Sequence, residues 1–177
     1  MIIVPITDNL KPKLRSFCQK SKELGYENNS SLEAMKFDWC QEIGKWFCAL
    51  EDEEIVAVAG CHPLPEISPT AWRILFRGCE LPNKKSHKGL SKYNWYSITW
   101  REFIPHFINW CPRKELYITT NTDNEHSNGK ATRNHKLMGL LAKRNILDKY
   151  GDMELYYTNQ TVWKLNISEY TRRRKEL

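Results

Sequence analysis

The feature of this sequence that most constrains its fold is a change in the spacing of apolar residues at Lys45. Before this residue, apolar side chains recur every three or four positions, which predicts a helix over Asn9–Leu24 and a shorter helix that begins near Ser30. After it, they form short runs of the kind found in buried strands. Because a further strand is predicted at Ile2–Ile6, the pattern favours a fold that mixes helices and strands.

Three strands are predicted in succession after this change of period. Trp46–Leu50 and Ile55–His62 lie on either side of an acidic segment, which is typical of a hairpin, and Ala71–Leu81 alternates well enough for a third strand. The next apolar segment, Trp95–Trp110, is rich in aromatic residues. It predicts a helix that Pro105 kinks or interrupts, because proline lacks the backbone N–H that a helix interior needs.

The last third of the sequence adds a strand, a helix and a hairpin. The strand is predicted over Glu115–Thr120 and the helix over Ala131–Asn145. The hairpin pairs Met153–Thr158 with Thr161–Asn166 and turns at Asn159-Gln160. The complete order predicts an α+β fold with one mixed, mostly antiparallel sheet of about seven strands flanked by helices.

The length and composition are typical of one soluble domain, with 177 residues of which 41% are hydrophobic. We predict a single domain over residues 1–168. Residues 169–177 carry the run Arg172-Arg173-Arg174-Lys175 and show no apolar period. They are predicted to form a solvated basic tail, and deletion of Arg172–Leu177 is expected to leave the thermal stability and any coenzyme affinity nearly unchanged.

Several classes of protein are disfavoured by what the sequence lacks. No apolar stretch approaches the roughly 18 residues of a membrane-spanning helix, and the N-terminus has no basic region or cleavage site, which predicts a cytoplasmic protein without a membrane partner. The six cysteines include no Cys-x-x-Cys pair, which predicts buried thiols and no metal site. Motifs of nucleotide hydrolases and serine hydrolases are also absent.

The charge balance favours a polyanionic partner. Lys and Arg number 27 against 21 Asp and Glu, a formal net charge of +6, which suits nucleotides, coenzymes and nucleic acid alike. Within the polar segment Asn83–Asn94, the side chains of Lys84, Lys85, His87 and Lys88 crowd one turn. With the free N–H groups of the helix that follows, these side chains would stabilise a phosphate or diphosphate, although a solvated basic loop has the same composition.

The order of elements, together with this loop, resembles the GNAT superfamily of acyl-CoA N-acyltransferases over roughly Met1–Asn166. The signature of that family is a proline at the end of the fourth strand and then Arg/Gln-x-x-Gly-x-Gly/Ala, whose backbone binds the coenzyme pyrophosphate. Here Pro82 precedes Ser86-His87-Lys88-Gly89-Leu90-Ser91, which keeps the first glycine but has serine at the other two signature positions. Aligning Lys85 with the Arg/Gln position is an alternative that needs a one-residue insertion.

The resemblance implies roles for particular residues and a cleft where the middle strands separate. It implies coenzyme contacts from Leu81, Lys84, Lys85, His87, Lys88, Gly89, Leu90 and Asn121. It also implies acetyl-CoA as cosubstrate, an amine as acceptor and Glu80 as the base, unless Glu80 is only an exposed residue at the strand end. The tyrosine that often serves as acid in this family would fall near Leu141, where the sequence has none. His135 could deliver a proton instead, or be a surface histidine.

Three functions remain open at this point. The first, which we expect, is transfer of an acetyl or other acyl group from acyl-CoA to an amine. The second is a catalytically inactive GNAT-fold binding or structural protein, which the missing tyrosine and the incomplete loop motif favour. It could belong to a phage, because the sequence resembles phage-encoded members in being rich in tryptophan and poor in motifs. The third, nucleic-acid binding, is favoured by charge alone. The sequence does not define an oligomeric state.

Overall fold

Helices and strands follow one another in nearly the predicted order. The computed structural model describes residues 1–23, 44–79, 95–111, 115–122, 133–155 and 158–177. Its strands are β1 (Ile2–Pro5), β2 (Lys45–Glu51), β3 (Glu54–Pro63), β4 (Trp72–Cys79), β5 (Leu116–Asn121), β6 (Leu147–Leu155) and β7 (Thr158–Leu165). Its helices are α1 (Lys11–Glu23), α2 (residues 95–110), α3 (Arg133–Lys143) and α4 (Ile167–Arg173). The second helix predicted near Ser30 lies outside the described residues.

The seven described strands belong to one sheet in the order β1-β2-β3-β4-β5-β7-β6. The pairs β1–β2, β2–β3, β5–β7 and β6–β7 are antiparallel, whereas β4 and β5 are parallel. This confirms the predicted α+β fold with a mostly antiparallel sheet. By its contacts the chain divides into two compact units, Met1–Pro63 with Leu75–Phe107 and Leu64–Ile74 with Ile108–Leu177. The predicted extent of a single domain, residues 1–168, stays a prediction.

The first unit is built around the β2–β3 hairpin and α1. The two turn residues of the hairpin, Asp52 and Glu53, have φ angles of 49° and 65°, the left-handed conformation that suits the twist of a two-residue hairpin turn. The apolar side of α1 packs against this hairpin through Leu14 and Phe17, which are 4% and 6% exposed. The helical spacing of these residues in the sequence therefore marks the side of α1 that is buried.

One tryptophan of this core depends on a glycine opposite it. Trp46 and Gly60 are direct partners in the β2–β3 register, and Trp46 is 4% exposed. A Cβ atom placed on Gly60 would lie 2.4 Å from Cδ2 of the Trp46 ring. Gly60 thus provides the space in which the Trp46 ring lies across the neighbouring strand.

Helix α2 continues past Pro105, and its geometry changes in the turn before the proline. It consists of Trp95–Ile98, a wider π-helical turn at Thr99–Phe103, and Ile104–Trp110. Because Pro105 has no N–H to donate and its ring would clash with the carbonyl one turn earlier, the wider turn directly before it accommodates the proline without ending the helix. Phe103 and Phe107 are fully buried on this helix.

The closing hairpin is present, but its turn is not where the sequence predicted it. Asn159 and Gln160 pair with Glu154 and Met153 inside the β6–β7 ladder, so the prediction of a turn at Asn159-Gln160 was wrong. Asn145, two residues after the end of α3, has a φ of 58°, the left-handed conformation that often follows a helix. The chain then enters β6 at Leu147. Polar residues suggested a turn here, whereas cross-strand pairing accommodates them in a strand.

The C-terminal residues do not form the solvated tail that the sequence predicted. Helix α4 begins at the cap residue Asn166, whose side chain accepts a hydrogen bond from the Glu169 N–H, and a short 3-10 turn follows at Arg174–Glu176. Tyr170 and Leu177 are 2% and 6% exposed. The arginine run obscured these two apolar residues, because the helix is too short to show an apolar period.

Buried cysteines were also expected from the sequence. Cys48, Cys61 and Cys111 are fully buried, and burial raises the pKa of the Cys48 thiol to about 11. Cys48 and Cys111 are free thiols. In the described part of the chain, no helix is both long and apolar enough to cross a membrane.

We predict opposite effects for two glycine substitutions. Gly60→Ala should lower the free energy of unfolding by about 1–3 kcal/mol, because its Cβ would displace the Trp46 ring. Gly139→Ala is the matched control: no described atom lies within 4 Å of the added Cβ in α3. It should stabilise the protein by roughly 0.5–1 kcal/mol through helix propensity. Denaturant unfolding of both variants measures this, and equal behaviour would contradict the packing of Trp46 on Gly60.

Truncation tests the corrected description of the C-terminus. Deleting residues 174–177 should lower the free energy of unfolding by about 2 kcal/mol, because it removes the buried Leu177 side chain. It also removes the ion pair between Glu176 and Arg144, whose Nη2 lies 2.7 Å from Oε2. The substitution Lys175→Ala, at an exposed position of the same turn, should change little. An unchanged melting temperature after truncation would favour the solvated tail after all.

Candidate functional site

The described part of the predicted coenzyme site is the end of β5, where Asn121 lies. In the β5–β7 register Thr120 is opposite Thr161 and Asn121 is opposite Gln160. Since side chains alternate between the two sides of a sheet, Thr120 and Asn121 point to opposite faces. The end of β5 therefore contributes polar side chains to both faces of the sheet.

The face that carries Thr120 holds a chain of hydrogen bonds that ends at a histidine. The Trp163 indole Nε1 donates to Thr120 Oγ1 over 2.9 Å, and the same oxygen lies 3.1 Å from His135 Nδ1. Thr120 and Trp163 are 5% and 4% exposed, whereas His135 is half-buried. The His135 ring packs edge-to-face on Trp163, with centroids 5.6 Å apart. His135, in the first turn of α3, is thus not a simple surface histidine.

The Asp152 carboxylate lies on the same face of the sheet, next to these hydrogen-bonded side chains. Asp152 is opposite Thr161 in the β6–β7 register and accepts a hydrogen bond of 2.5 Å from the Thr161 hydroxyl. Lys149 donates to its other oxygen over 2.7 Å. These hydrogen bonds, that from Lys149 first, lower the pKa of Asp152, and the charge of His135 contributes in the same direction. Asp152 therefore adds negative charge close to His135.

The opposite face, which carries Asn121, holds an amide and a guanidinium. Gln160 is 8% exposed and donates from Nε2 to Thr158 Oγ1 over 2.9 Å. Arg73 is level with Tyr117 in the parallel β4–β5 pair, and its Nη2 lies 3.5 Å from Gln160 Oε1. The Arg73 side chain therefore extends from β4 toward the strand end where Asn121 lies.

Sequence reasoning missed a hydrogen-bonded carboxylate at the other end of β5. Glu115 accepts hydrogen bonds from the hydroxyls of Ser68, Thr70 and Tyr117, the last over 2.9 Å. The hydrogen bond from Thr70 is the main reason that the pKa of Glu115 is lowered, and burial together with Glu115 raises the pKa of Tyr117. No motif could reveal this cluster, because Ser68 and Glu115 are 47 positions apart. It attaches the segment before β4 to the start of β5.

Comparison with known proteins identifies the fold. No family model and no curated protein sequence matches the chain, but solved structures do. The aminoglycoside 6′-N-acetyltransferase of Enterococcus faecium matches with a TM-score of 0.56 and 15% identity, over 93% of this chain and 96% of that one. A variant of the spermidine N-acetyltransferase SpeG of Vibrio cholerae matches with 0.57 and 9%, over 98% and 99%.

A third match is the ribosomal α-N-protein acetyltransferase RimL in complex with coenzyme A, with a TM-score of 0.54, 14% identity, and 92% and 91% of the two chains covered. Other matched structures are assigned to the GNAT family by name. The chain has the GNAT fold. The resemblance inferred from the order of elements is confirmed at the level of fold, over nearly the whole length of these proteins.

Most of the predicted GNAT site falls on residues that are not described. Outside the described residues lie Glu80, Leu81, Lys84, Lys85, His87, Lys88, Gly89 and Leu90, and with them the predicted cleft. Asn121 is described and is half-buried at the end of β5. Leu141, near which the acid tyrosine of GNAT enzymes would fall, is 1% exposed within α3. That position therefore contributes a buried apolar side chain.

Within the described ranges, no group of three His, Cys, Asp or Glu residues is suited to bind a metal ion. The polar clusters at both ends of β5 use hydroxyl, indole, imidazole and carboxylate groups that are bonded to one another.

The Glu115 cluster gives the stability a dependence on pH. Because the folded protein lowers the pKa of Glu115, the carboxylate stabilises the fold above its ordinary pKa of 4.5, and this contribution is lost as the pH falls through the folded pKa. At pH 7, Glu115→Gln should lower the free energy of unfolding by about 1 kcal/mol. The difference from wild type should shrink below pH 4.5.

Unfolding curves from pH 7 to pH 3 measure this difference. Glu154→Gln, at an exposed position of β6, is the matched control and should follow the wild type throughout. A Glu115→Gln difference that does not depend on pH would show that the carboxylate charge is not what holds the cluster.

Proposed function

We propose that this protein transfers an acyl group from acyl-CoA to an amine. The observation that supports this most is the GNAT fold, matched over more than nine-tenths of the lengths of both chains by N-acetyltransferases with different acceptors. When bound, the acyl-CoA supplies the activated thioester, and the protein has to bind it, orient it and deprotonate the amine. The acceptors of these three proteins differ, so we propose an amine without naming a particular one.

The residues that we propose for this chemistry come from two sources. Asn121 fits a coenzyme contact, because a half-buried amide at the end of β5 can both donate and accept hydrogen bonds. From the sequence we propose the basic segment of Lys84, Lys85 and Lys88 for the pyrophosphate. We also propose Glu80 as the base that takes the proton of the amine. The acetyl group is our first choice among acyl groups.

The second candidate function is binding without catalysis, in a protein that keeps the GNAT fold. The observation that favours it is Leu141, which places a buried apolar side chain near the position where a proton donor is common in GNAT enzymes. Acyl transfer then needs another source for the proton that the leaving thiolate takes up, and water can provide it. Such a binding protein would show no turnover with any amine.

Calorimetric titration with acetyl-CoA tests the proposal directly. We expect binding by the wild type and a loss of about 1–2 kcal/mol in the double substitution Lys85→Ala, Lys88→Ala, the scale of lost charge-assisted hydrogen bonds. The double substitution Lys136→Ala, Lys175→Ala is the matched control, because it removes the same charge from two exposed positions. No binding of acetyl-CoA at millimolar concentration would refute acyl transfer.

Release of free thiol in the presence of an amine panel separates the two candidate functions. The panel should contain an aminoglycoside, a polyamine and a peptide with a free N-terminus. Turnover by the wild type that is lost in Glu80→Gln, with coenzyme affinity kept, would support catalysis with Glu80 as base. Binding without turnover for every amine would favour the second function.

A further inference from the structure

Six basic side chains gather where the end of α3 meets the C-terminal segment of the chain. They are Lys143 and Arg144 at the end of α3 and Arg172, Arg173, Arg174 and Lys175 in α4 and the turn after it. The two groups are in contact, because Arg144 Nη2 lies 2.7 Å from Glu176 Oε2. In addition, the Asn166 N–H donates to the Ile146 carbonyl over 3.0 Å. We call these six side chains the C-terminal basic surface.

The structure gives this surface fixed positions. Tyr170 and Leu177, which are 2% and 6% exposed, anchor the chain on both sides of the arginine run. The cap residue Asn166 accepts a hydrogen bond from the Glu169 N–H and so defines where α4 begins. The seven residues of α4 span about 10 Å. The charges of this segment are therefore concentrated within a short distance and do not move as a free tail would.

The acidic side chains of the segment offset part of this charge. Glu169 Oε2 lies 2.7 Å from Arg172 Nη2 and 3.4 Å from Arg173 Nε, and Glu176 binds Arg144. Two carboxylates thus stand against six cations, which leaves a surplus of four positive charges, compared with +6 for the whole chain. Because these ion pairs lie at the surface, with the Arg172 side chain 60% exposed, a phosphate can take the place of a carboxylate in them.

Stabilisation of helix ends explains part of the charge. Cations interact favourably with the dipole of a helix in its last turn, and Lys143, Arg172 and Arg173 have such positions. Arg174 and Lys175 lie beyond α4, and both are exposed. Like charges this close together repel one another and lower the stability. Their concentration on one fixed surface is typical of a site that attracts a polyanion.

The apolar side chains around this surface favour a nucleic acid over a membrane or an acidic protein. Tyr170 and Leu177 are buried, so they can neither insert into a bilayer nor fill a pocket of a partner protein. Among the described residues of α3 and α4, only Leu140 is large, apolar and exposed. Contacts with a phosphate backbone need no apolar anchor, whereas binding of single strands uses exposed aromatic side chains on which bases stack.

We propose that the C-terminal basic surface binds the phosphate backbone of a nucleic-acid duplex without reading its sequence. Four of its six side chains are arginines, whose planar guanidinium groups can donate two parallel hydrogen bonds to a phosphate. Duplexes of DNA and of RNA offer the same phosphate chemistry to such a surface. This binding is independent of acyl transfer and adds a second partner to the proposed function.

Fluorescence anisotropy with labelled DNA and RNA duplexes of about 20 base pairs tests the proposal. We expect the wild type to bind at about 50 mM salt and to lose roughly tenfold to a hundredfold in affinity by about 200 mM, the loss for two to four phosphate contacts. The two duplexes show which nucleic acid is preferred, and binding of either supports the proposal.

A double substitution locates the binding surface. Lys143→Gln with Arg172→Gln removes one charge from each of the two groups and should weaken duplex binding about tenfold, with a salt slope lower by about 1–2. Arg15→Gln with Lys149→Gln is the matched control. It removes the same charge from exposed positions, and Lys149 has an ion pair of 2.7 Å with Asp152, as Arg172 has with Glu169. The control should bind as the wild type does, and melting temperatures show that both variants are folded.

Four results would overturn the proposal. The first is no duplex binding by the wild type at about 50 mM salt. The second is an equal loss in the double substitution and its control, which would indicate attraction by net charge alone. The third is a loss in Lys85→Ala, Lys88→Ala that the C-terminal substitution does not show. The fourth is tighter binding to anionic phospholipid vesicles or to polyglutamate than to either duplex. Failure to bind acetyl-CoA would refute acyl transfer and leave this inference standing.

Discussion

The antiparallel register between β5 and β7 is the constraint on which the described polar site depends. It places Thr120 opposite Thr161 and Asn121 opposite Gln160. A slip of one residue would exchange the two faces of β5, because side chains alternate along a strand. Thr120 would then leave Trp163 and His135, and the chain of hydrogen bonds would have no middle member.

The two ends of β5 illustrate two uses of buried polar groups. At its start, the Glu115 carboxylate accepts three hydroxyl hydrogen bonds and joins the segment before β4 to the sheet. At its end, a threonine hydroxyl links an indole to an imidazole. In the first cluster the hydroxyls of Ser68, Thr70 and Tyr117 all donate to the Glu115 carboxylate, so these groups bind one another. The second runs from the buried Trp163 to the half-buried His135.

The fold match and the site carry different weight for function. The three matched acetyltransferases share their backbone arrangement with this chain, but the sequence identities are only 9–15%. The side chains that determine function therefore differ from protein to protein. Leu141 illustrates this, since it is buried in α3 near the position where GNAT enzymes often have an acid. His135, which is hydrogen-bonded to Thr120, is a polar group in the first turn of the same helix.

Sequence spacing by itself indicated α1, α2, α3 and the described strands in their order, and with them the α+β class, because apolar periodicity reports which side of a helix or strand is buried, as Leu14 and Phe17 do in α1. It also indicated Asn121 at a strand end. Only the tertiary structure decided the partners of His135 and Glu115, the strand position of Asn159 and Gln160, and the burial of Tyr170 and Leu177. These depend on contacts between residues distant in sequence, which no local period records.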